Sequence, residues 1–280
     1  MERFSLFILL ATLFSATYCH SSSVERHGGL PLPIHLLRPN SGFGGELPKG
    51  LSCNSWRLAV ETNNLRYWKT VPAECENYVG HYMLGLHYRQ DSKYVTLEAA
   101  KYAKSIKLTG DGKDIWVFDI DETSLSDLPY YATHGFGHFY VPNFFTSLYD
   151  LGAKPYNSTA FNAWVDTGKA PALPETLKLY KHLKALGFKV VYITGREENR
   201  RDITRKNLHA VGYKNWEKLL LKQPSDSKKT ATMFKSEKRA MLVKQGYRIW
   251  GNIGDQWSDI LGTDIGGKTF KLPDPMYYIS

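Results

Sequence analysis

Three apolar runs, each stopped by a polar cluster, constrain this chain more than any other feature. Ile115-Trp116-Val117-Phe118 runs into Asp119-Ile120-Asp121-Glu122-Thr123. The run containing Val190, Val191 and Tyr192 ends in Ile193-Thr194-Gly195-Arg196. The run containing Ile249 and Ile253 ends in Gly254-Asp255-Gln256-Trp257-Ser258-Asp259. A short continuous apolar run suits a strand covered on both faces, and such strands belong to parallel sheets with helices above and below. Strands are expected at 115–119, 188–194, 219–221 and 247–253, with a last one at 268–272. Between them lie helical patterns at 174–186, 200–211 and 235–245, closed by Gly187, Gly212 and Gly246. This alternation predicts an α/β fold, a three-layer Rossmann-like arrangement around a parallel sheet. Ligands of such sheets bind beyond the carboxyl ends of the strands, where the three polar clusters stand.

The rest of the 280-residue chain divides around that core. Residues 1–19 carry a short apolar stretch, Phe4 to Phe14, behind Glu2-Arg3, and read as a secretory signal peptide too short for a membrane span. Residues 20–50 are rich in Gly and Pro and read as an arm or propeptide. Residues 51–110 form a helical extension, with helical character expected from Trp56 to Lys107. Residues 111–280 form the core, and 125–172 is an aromatic, glycine-bearing insertion after the first strand that is placed to roof the site. The mature protein is expected to have no membrane segment.

Of three cysteines, Cys19 leaves with the signal peptide, so Cys53 and Cys75 remain in an oxidising compartment. One pairing is available, and a disulfide there is expected over two buried thiols. Asn157-Ser158-Thr159 is an N-glycosylation sequon in a polar, loop-like stretch. The net charge of +9 and pI near 9.2 favour anionic substrates or partners. The Lys and Arg residues are dispersed, with no basic arm and no aromatic-interleaved stripe, so no nucleic-acid partner is expected.

The polar clusters suit phosphoryl transfer. Asp119 is placed to act as a nucleophile, because a carboxylate can form a covalent phosphoenzyme. Asp121, two residues on, is placed to protonate the leaving oxygen and then to activate water. Thr194 offers a hydroxyl, and Gly195 a close backbone approach, to phosphate oxygens. Lys235 offers a positive charge for the transition state, with Lys228 and Lys229 as rivals. Arg196 either touches the substrate or forms a salt bridge. The acidic set suits Mg²⁺, a hard cation that takes oxygen ligands. A pair of surface aspartates in a turn is the alternative for any one motif taken alone.

These residues carry a resemblance. Asp119-Ile-Asp-Glu-Thr123 with Leu-Ser-Asp-Leu-Pro-Tyr-Tyr131, Ile193-Thr-Gly-Arg196, Lys235-Ser-Glu-Lys-Arg239, Gly254-Asp255 through Asp259, and the ending Phe270-Lys-Leu-Pro-Asp-Pro-Met-Tyr-Tyr278 are similar to the motifs of haloacid-dehalogenase-superfamily phosphatases. More closely, they resemble plant acid phosphatases of the class B type and the vegetative storage proteins, from Cys53 onward. The resemblance implies the haloacid dehalogenase fold and a secreted or vacuolar acid phosphatase acting on small phosphate monoesters through an aspartyl phosphate. It implies Mg²⁺ bound by Asp119, the main-chain carbonyl of Asp121, and Asp255, with Asp259 acting directly or through water. The storage relatives imply a rival role as an amino-acid reserve, and a homodimer. Some storage relatives lack the nucleophile, whereas Asp119 is present here. Arg26-His27-Gly28 is similar to the motif of histidine acid phosphatases, but Leu30 stands where that pattern needs a second arginine.

Overall fold

The computed structural model describes residues 49–134 and 157–279. The expected signal peptide, nearly all of the Gly/Pro-rich arm, Arg26-His27-Gly28 and the middle of the insertion lie outside them. Five strands form one sheet: β1 (Asp114–Phe118), β2 (Lys189–Glu197), β3 (Lys218–Lys222), β4 (Arg248–Gly254) and β5 (Lys268–Lys271). Every pairing is parallel and the order is β3-β2-β1-β4-β5. The chain leaves β1 toward β2 on one side and later returns to pair β4 on the other. This makes the carboxyl end of β1 the topological switch point where such sheets bind ligands.

Side-chain alternation along the central strands sorts the core into two layers. Trp116, Phe118, Val190 and Tyr192 pack with Ala99 and Ala103 of α3 (Leu86–Lys104), Leu179 and Leu183 of α6 (Pro174–Leu186), and Leu208 of α7 (Arg201–Ala210). Ile115, Val117, Val191 and Ile193 pack on the opposite face with Phe234 and Leu242 of α8 (Ala231–Lys244). The result is the three-layer α/β arrangement the sequence predicted.

Two boundaries differ in ways that matter. The sequence places the start of the last long helix at Lys235, but α8 begins at Ala231, capped by Thr230, whose hydroxyl accepts from the Met233 N–H at 3.2 Å. Lys235 therefore stands one turn inside the helix and is buried. The expected helical stretch from Trp56 to Lys107 is three helices, α1 (Cys53–Glu61), α2 (Glu76–Leu84) and α3. The break between α2 and α3 is at Gly85, where a Cβ would stand 2.5 Å from the His81 carbonyl oxygen, so the close approach admits only glycine.

The extension has a core of its own, built from Trp56, Val60, Val79, Tyr82 and Tyr88 and closed by Leu173 and Met276 from distant parts of the chain. A disulfide joins Cys53 and Cys75, with Cα atoms 5.3 Å apart, and ties α1 to the turn that leads into α2. The described ends of the insertion form α4 (Leu128–His134) and α5 (Ser158–Val165), and Leu125 bridges Ala172 in antiparallel fashion. Asn157 is exposed and caps α5, its side-chain oxygen accepting from the Ala160 N–H at 3.0 Å. Among the described residues no helix is long and apolar enough to cross a membrane.

Candidate active site

The loop after β1 is built to hold two aspartates in place. The Asp119 N–H still donates to Ile253 of β4, at 3.1 Å, so Asp119 keeps its place at the strand end. The chain then turns sharply. The Ser124 and Leu125 N–H groups both donate to the Ile120 carbonyl at 2.8 Å, and the Ser124 hydroxyl donates to the Asp119 carbonyl at 2.8 Å. Glu122 takes up the turn at φ 46°, a left-handed conformation that is unfavourable for a residue with a Cβ. Its buried carboxylate compensates by accepting from the Tyr88 hydroxyl at 2.6 Å and the Asp127 N–H at 2.7 Å.

Lys235 reaches this loop from α8. Its ammonium donates to Asp119 Oδ1 at 2.8 Å and is also paired with Asp259. The rivals do not compete: Lys228 is exposed, and Lys229 is bound to Asp226 and Glu237. Oxygens of Asp119, Asp255 and Asp259 lie within 4.8 Å of one another, and all three residues are buried. Burial, then the charge of Asp259, pushes the Asp119 carboxyl well above the usual carboxylate range, with Lys235 opposing. The same two causes push Asp255 up to about 6. Burial works against the Lys235 charge, but Asp119 and Asp259 outweigh it and hold the ammonium above its usual range.

Arg196, at the end of β2, grips Asp121 with two nitrogens: Nη2 donates at 2.7 Å and Nε at 2.9 Å, both to Oδ1. In this structure the salt bridge is thus the role it fills. Gly195 lines the cavity, with no atom within 4 Å of where a Cβ would stand. Thr194 is fully buried, and its hydroxyl oxygen accepts from the Arg196 N–H at 3.1 Å; it shapes the turn that presents Gly195 and Arg196. The cavity, about 270 Å³, brings together Asp119, Asp121, Arg196, Lys235 and Asp255 beneath an aromatic wall of Tyr131 and Tyr277.

Residues 41–280 match the model of the HAD superfamily, subfamily IIIB (acid phosphatase). The chain belongs to this family. It is 43% identical to acid phosphatase 1 of Solanum lycopersicum, with 99% of each chain covered. It is 41% identical to vegetative storage protein 1 of Arabidopsis thaliana, covering all of this chain and 99% of that one. Among solved structures it is similar to the class C acid phosphatase from Bacillus anthracis, with a TM-score of 0.54 and 22% identity over 81% of this chain and 87% of that one; at that identity the likeness concerns the fold.

A divalent cation fits this HAD-family site. Three buried carboxylates face one ammonium, which leaves two negative charges when all are ionised. Without a cation, burial and mutual repulsion favour protons on Asp119 and Asp255. The donors are all hard oxygens, with no His or Cys among them.

Sequence reasoning left several members of the site without a role. The Thr123 hydroxyl and Asp255 cross-link two loops: Thr123 Oγ1 donates to Asp255 Oδ1 at 2.9 Å and accepts from the Asp255 N–H at 3.0 Å. Gln256 Nε2 donates at 2.8 Å to both Asp255 and Asp274, and the Tyr277 hydroxyl donates to Asp255 at 3.2 Å. Asp274 and Tyr277 come from the chain's end, whose similarity to the family was the only signal that pointed to them. Gly254 is needed for close approach, because a Cβ there would lie 2.2 Å from Asp259.

Proposed function

We propose that this protein is a secreted or vacuolar acid phosphatase that hydrolyses small phosphate monoesters through a phosphoryl group carried on Asp119. The observation that carries the reading is Asp119 at the end of the central strand, bonded to Lys235 at 2.8 Å and flanked by Asp255 and Asp259. An Asp119 oxygen attacks phosphorus, and the bond to the ester oxygen breaks as Asp121 donates a proton to the departing alkoxide. Asp121 then takes a proton from water, which attacks the acyl phosphate, releases inorganic phosphate and restores Asp119. Because Arg196 holds Asp121, proton donation requires that pair to open, and the freed guanidinium is then placed to meet the phosphate. Lys235 offsets the charge that shifts onto the oxygens around phosphorus.

Mg²⁺ suits the oxygen set of Asp119, Asp255, Asp259 and the main-chain carbonyl of Asp121, and when bound it supplies charge stabilisation for the transferring phosphoryl group. The apolar leader, the sequon at Asn157 and the Cys53–Cys75 disulfide support passage through the secretory pathway to the vacuole or cell wall. A phosphatase assay on the purified mature protein from pH 4 to 8, with exhaustive EDTA and then with Mg²⁺ restored, tests the reading. Acid-favoured release of phosphate that EDTA abolishes and Mg²⁺ restores is expected. Absence of turnover on any monoester would overturn it.

The 41% identity to an Arabidopsis vegetative storage protein favours storage as a second reading. The complete set of Asp119, Asp121, Lys235 and Asp255 argues for catalysis beside it. Tissue abundance under nutrient change tests storage.

A further inference from the structure

Asp127 has no part in the reaction described above, yet it is the least satisfied acidic group in the cavity. It is 0% exposed and lines the same cavity as Asp119 and Asp121. Neither of its carboxyl oxygens has a hydrogen-bond partner among the described residues. Its backbone, by contrast, is fully used. The N–H donates to Glu122 at 2.7 Å, and the carbonyl accepts from the N–H groups of Tyr130 at 2.9 Å and Tyr131 at 3.1 Å. The main chain therefore holds the side chain where nothing meets it.

A buried carboxyl without a partner is costly, and an apolar residue of similar size would be more stable there. Arg196 does not relieve it, since its guanidinium is committed to Asp121 and Thr204. Asp121 lines the same cavity as Asp127. In the phosphatase reading Asp121 marks the side from which the alcohol departs. The wall above is aromatic, with Tyr131 and Tyr277 stacked at 5.0 Å and Phe161 beside them. Such a wall offers packing to carbon atoms and leaves Asp127 as the free acceptor facing the alcohol portion.

We propose that Asp127 is a specificity-determining residue that accepts a hydrogen bond from a hydroxyl or amine on the alcohol portion of the substrate. The preferred substrates are then phosphate monoesters of polyols or amino alcohols, rather than of plain alkyl alcohols. The proposal rests on the phosphatase reading. A site that presents an unpaired polar group discriminates strongly against an analogue that leaves it unpaired.

Three esters of equal heavy-atom count test it: 2-hydroxyethyl phosphate, 2-aminoethyl phosphate and propyl phosphate. Their terminal hydroxyl, ammonium and methyl groups occupy one position. For the Mg²⁺-loaded wild-type protein, kcat/KM should be about tenfold or more higher for at least one donor-bearing ester than for propyl phosphate. A preference for the hydroxyethyl ester points to polyols, and one for the aminoethyl ester to amino alcohols. In Asp127→Leu that ratio should collapse toward one, and in Asp127→Asn, which keeps the shape and one acceptor, it should fall in between. Equal kcat/KM for all three esters in the wild type, or an equal loss on all three in both variants, overturns the proposal while leaving the phosphatase reading intact. Absence of turnover with all three esters and with p-nitrophenyl phosphate overturns that reading, and this one with it.

Discussion

Replacing Glu122 by Gln separates the charge of this residue from its role as a clasp. The Glu122 side chain ties the catalytic loop to α3 through Tyr88, at 2.6 Å, and to α4 through the Asp127 N–H, at 2.7 Å. Burial pushes its carboxyl from the usual 4.5 up to about 7, the bonds from Tyr88 and Asp127 opposing and the Asp255 charge adding to the rise. The folded protein thus binds this proton more tightly than the unfolded chain does. The resulting stability is fully present below about pH 4.5 and is lost as pH rises through about 7. A shift of this size corresponds to about 3 kcal/mol, of which roughly 2 kcal/mol falls between pH 5 and 7.5. Gln keeps the length and one acceptor, and its amide can donate to the Tyr88 oxygen, but it does not titrate. Urea unfolding in EDTA at pH 5.0 and 7.5 should therefore show the wild type losing about 2 kcal/mol more than Glu122→Gln over that interval. Equal losses in the two proteins would refute the assignment of a raised, proton-binding carboxyl to Glu122.

Other expectations follow from the same geometry. Asp119→Asn should lower turnover on the order of 10⁴-fold while circular dichroism and the unfolding midpoint show a retained fold; near-wild-type turnover by folded protein would remove Asp119 as nucleophile. Asp121→Asn should slow alkyl phosphates far more than aryl phosphates, whose leaving group needs little protonation. Equal losses where phosphorylation limits turnover would take the acid role from Asp121. Reducing the Cys53–Cys75 bond, which spans 22 residues, should cost about 3 kcal/mol in the chain-entropy account, read by unfolding with and without reductant. Mass spectrometry of the unreduced secreted protein should find the two cysteines linked, and two freely alkylatable thiols in folded material would contradict the bond.

The sequence by itself determined the layers of the core and, to within a residue, the ends of its strands, except that β2 runs on to Glu197 past the expected Thr194. Apolar runs such as Ile115–Phe118 and the residues around Val191 are continuous because both of their faces are covered, and that requirement is written locally in the chain. The positions of Asp119, Arg196 and Asp255 were legible for the same reason: each directly follows or ends a buried strand, and a parallel sheet gathers such ends on one edge. Lys235 was legible as a residue but not as a position. The start of α8 is set by the Thr230 cap, whose hydroxyl accepts from the Met233 N–H.

Tertiary structure alone decided how these groups are paired. Nothing local says that Arg196 grips Asp121, because the two lie 75 residues apart in the chain and meet only when the sheet forms. The supporting shell was still less visible. Tyr88 of α3 meets Glu122, Tyr277 of the closing segment meets Asp255, and Asp274 meets Gln256, each through a single hydrogen bond. Single polar contacts between distant elements leave no period in a sequence, whereas burial of a strand or a helix face leaves one. The unpartnered oxygens of Asp127 are the extreme case, because a missing partner is a property only of the folded surroundings.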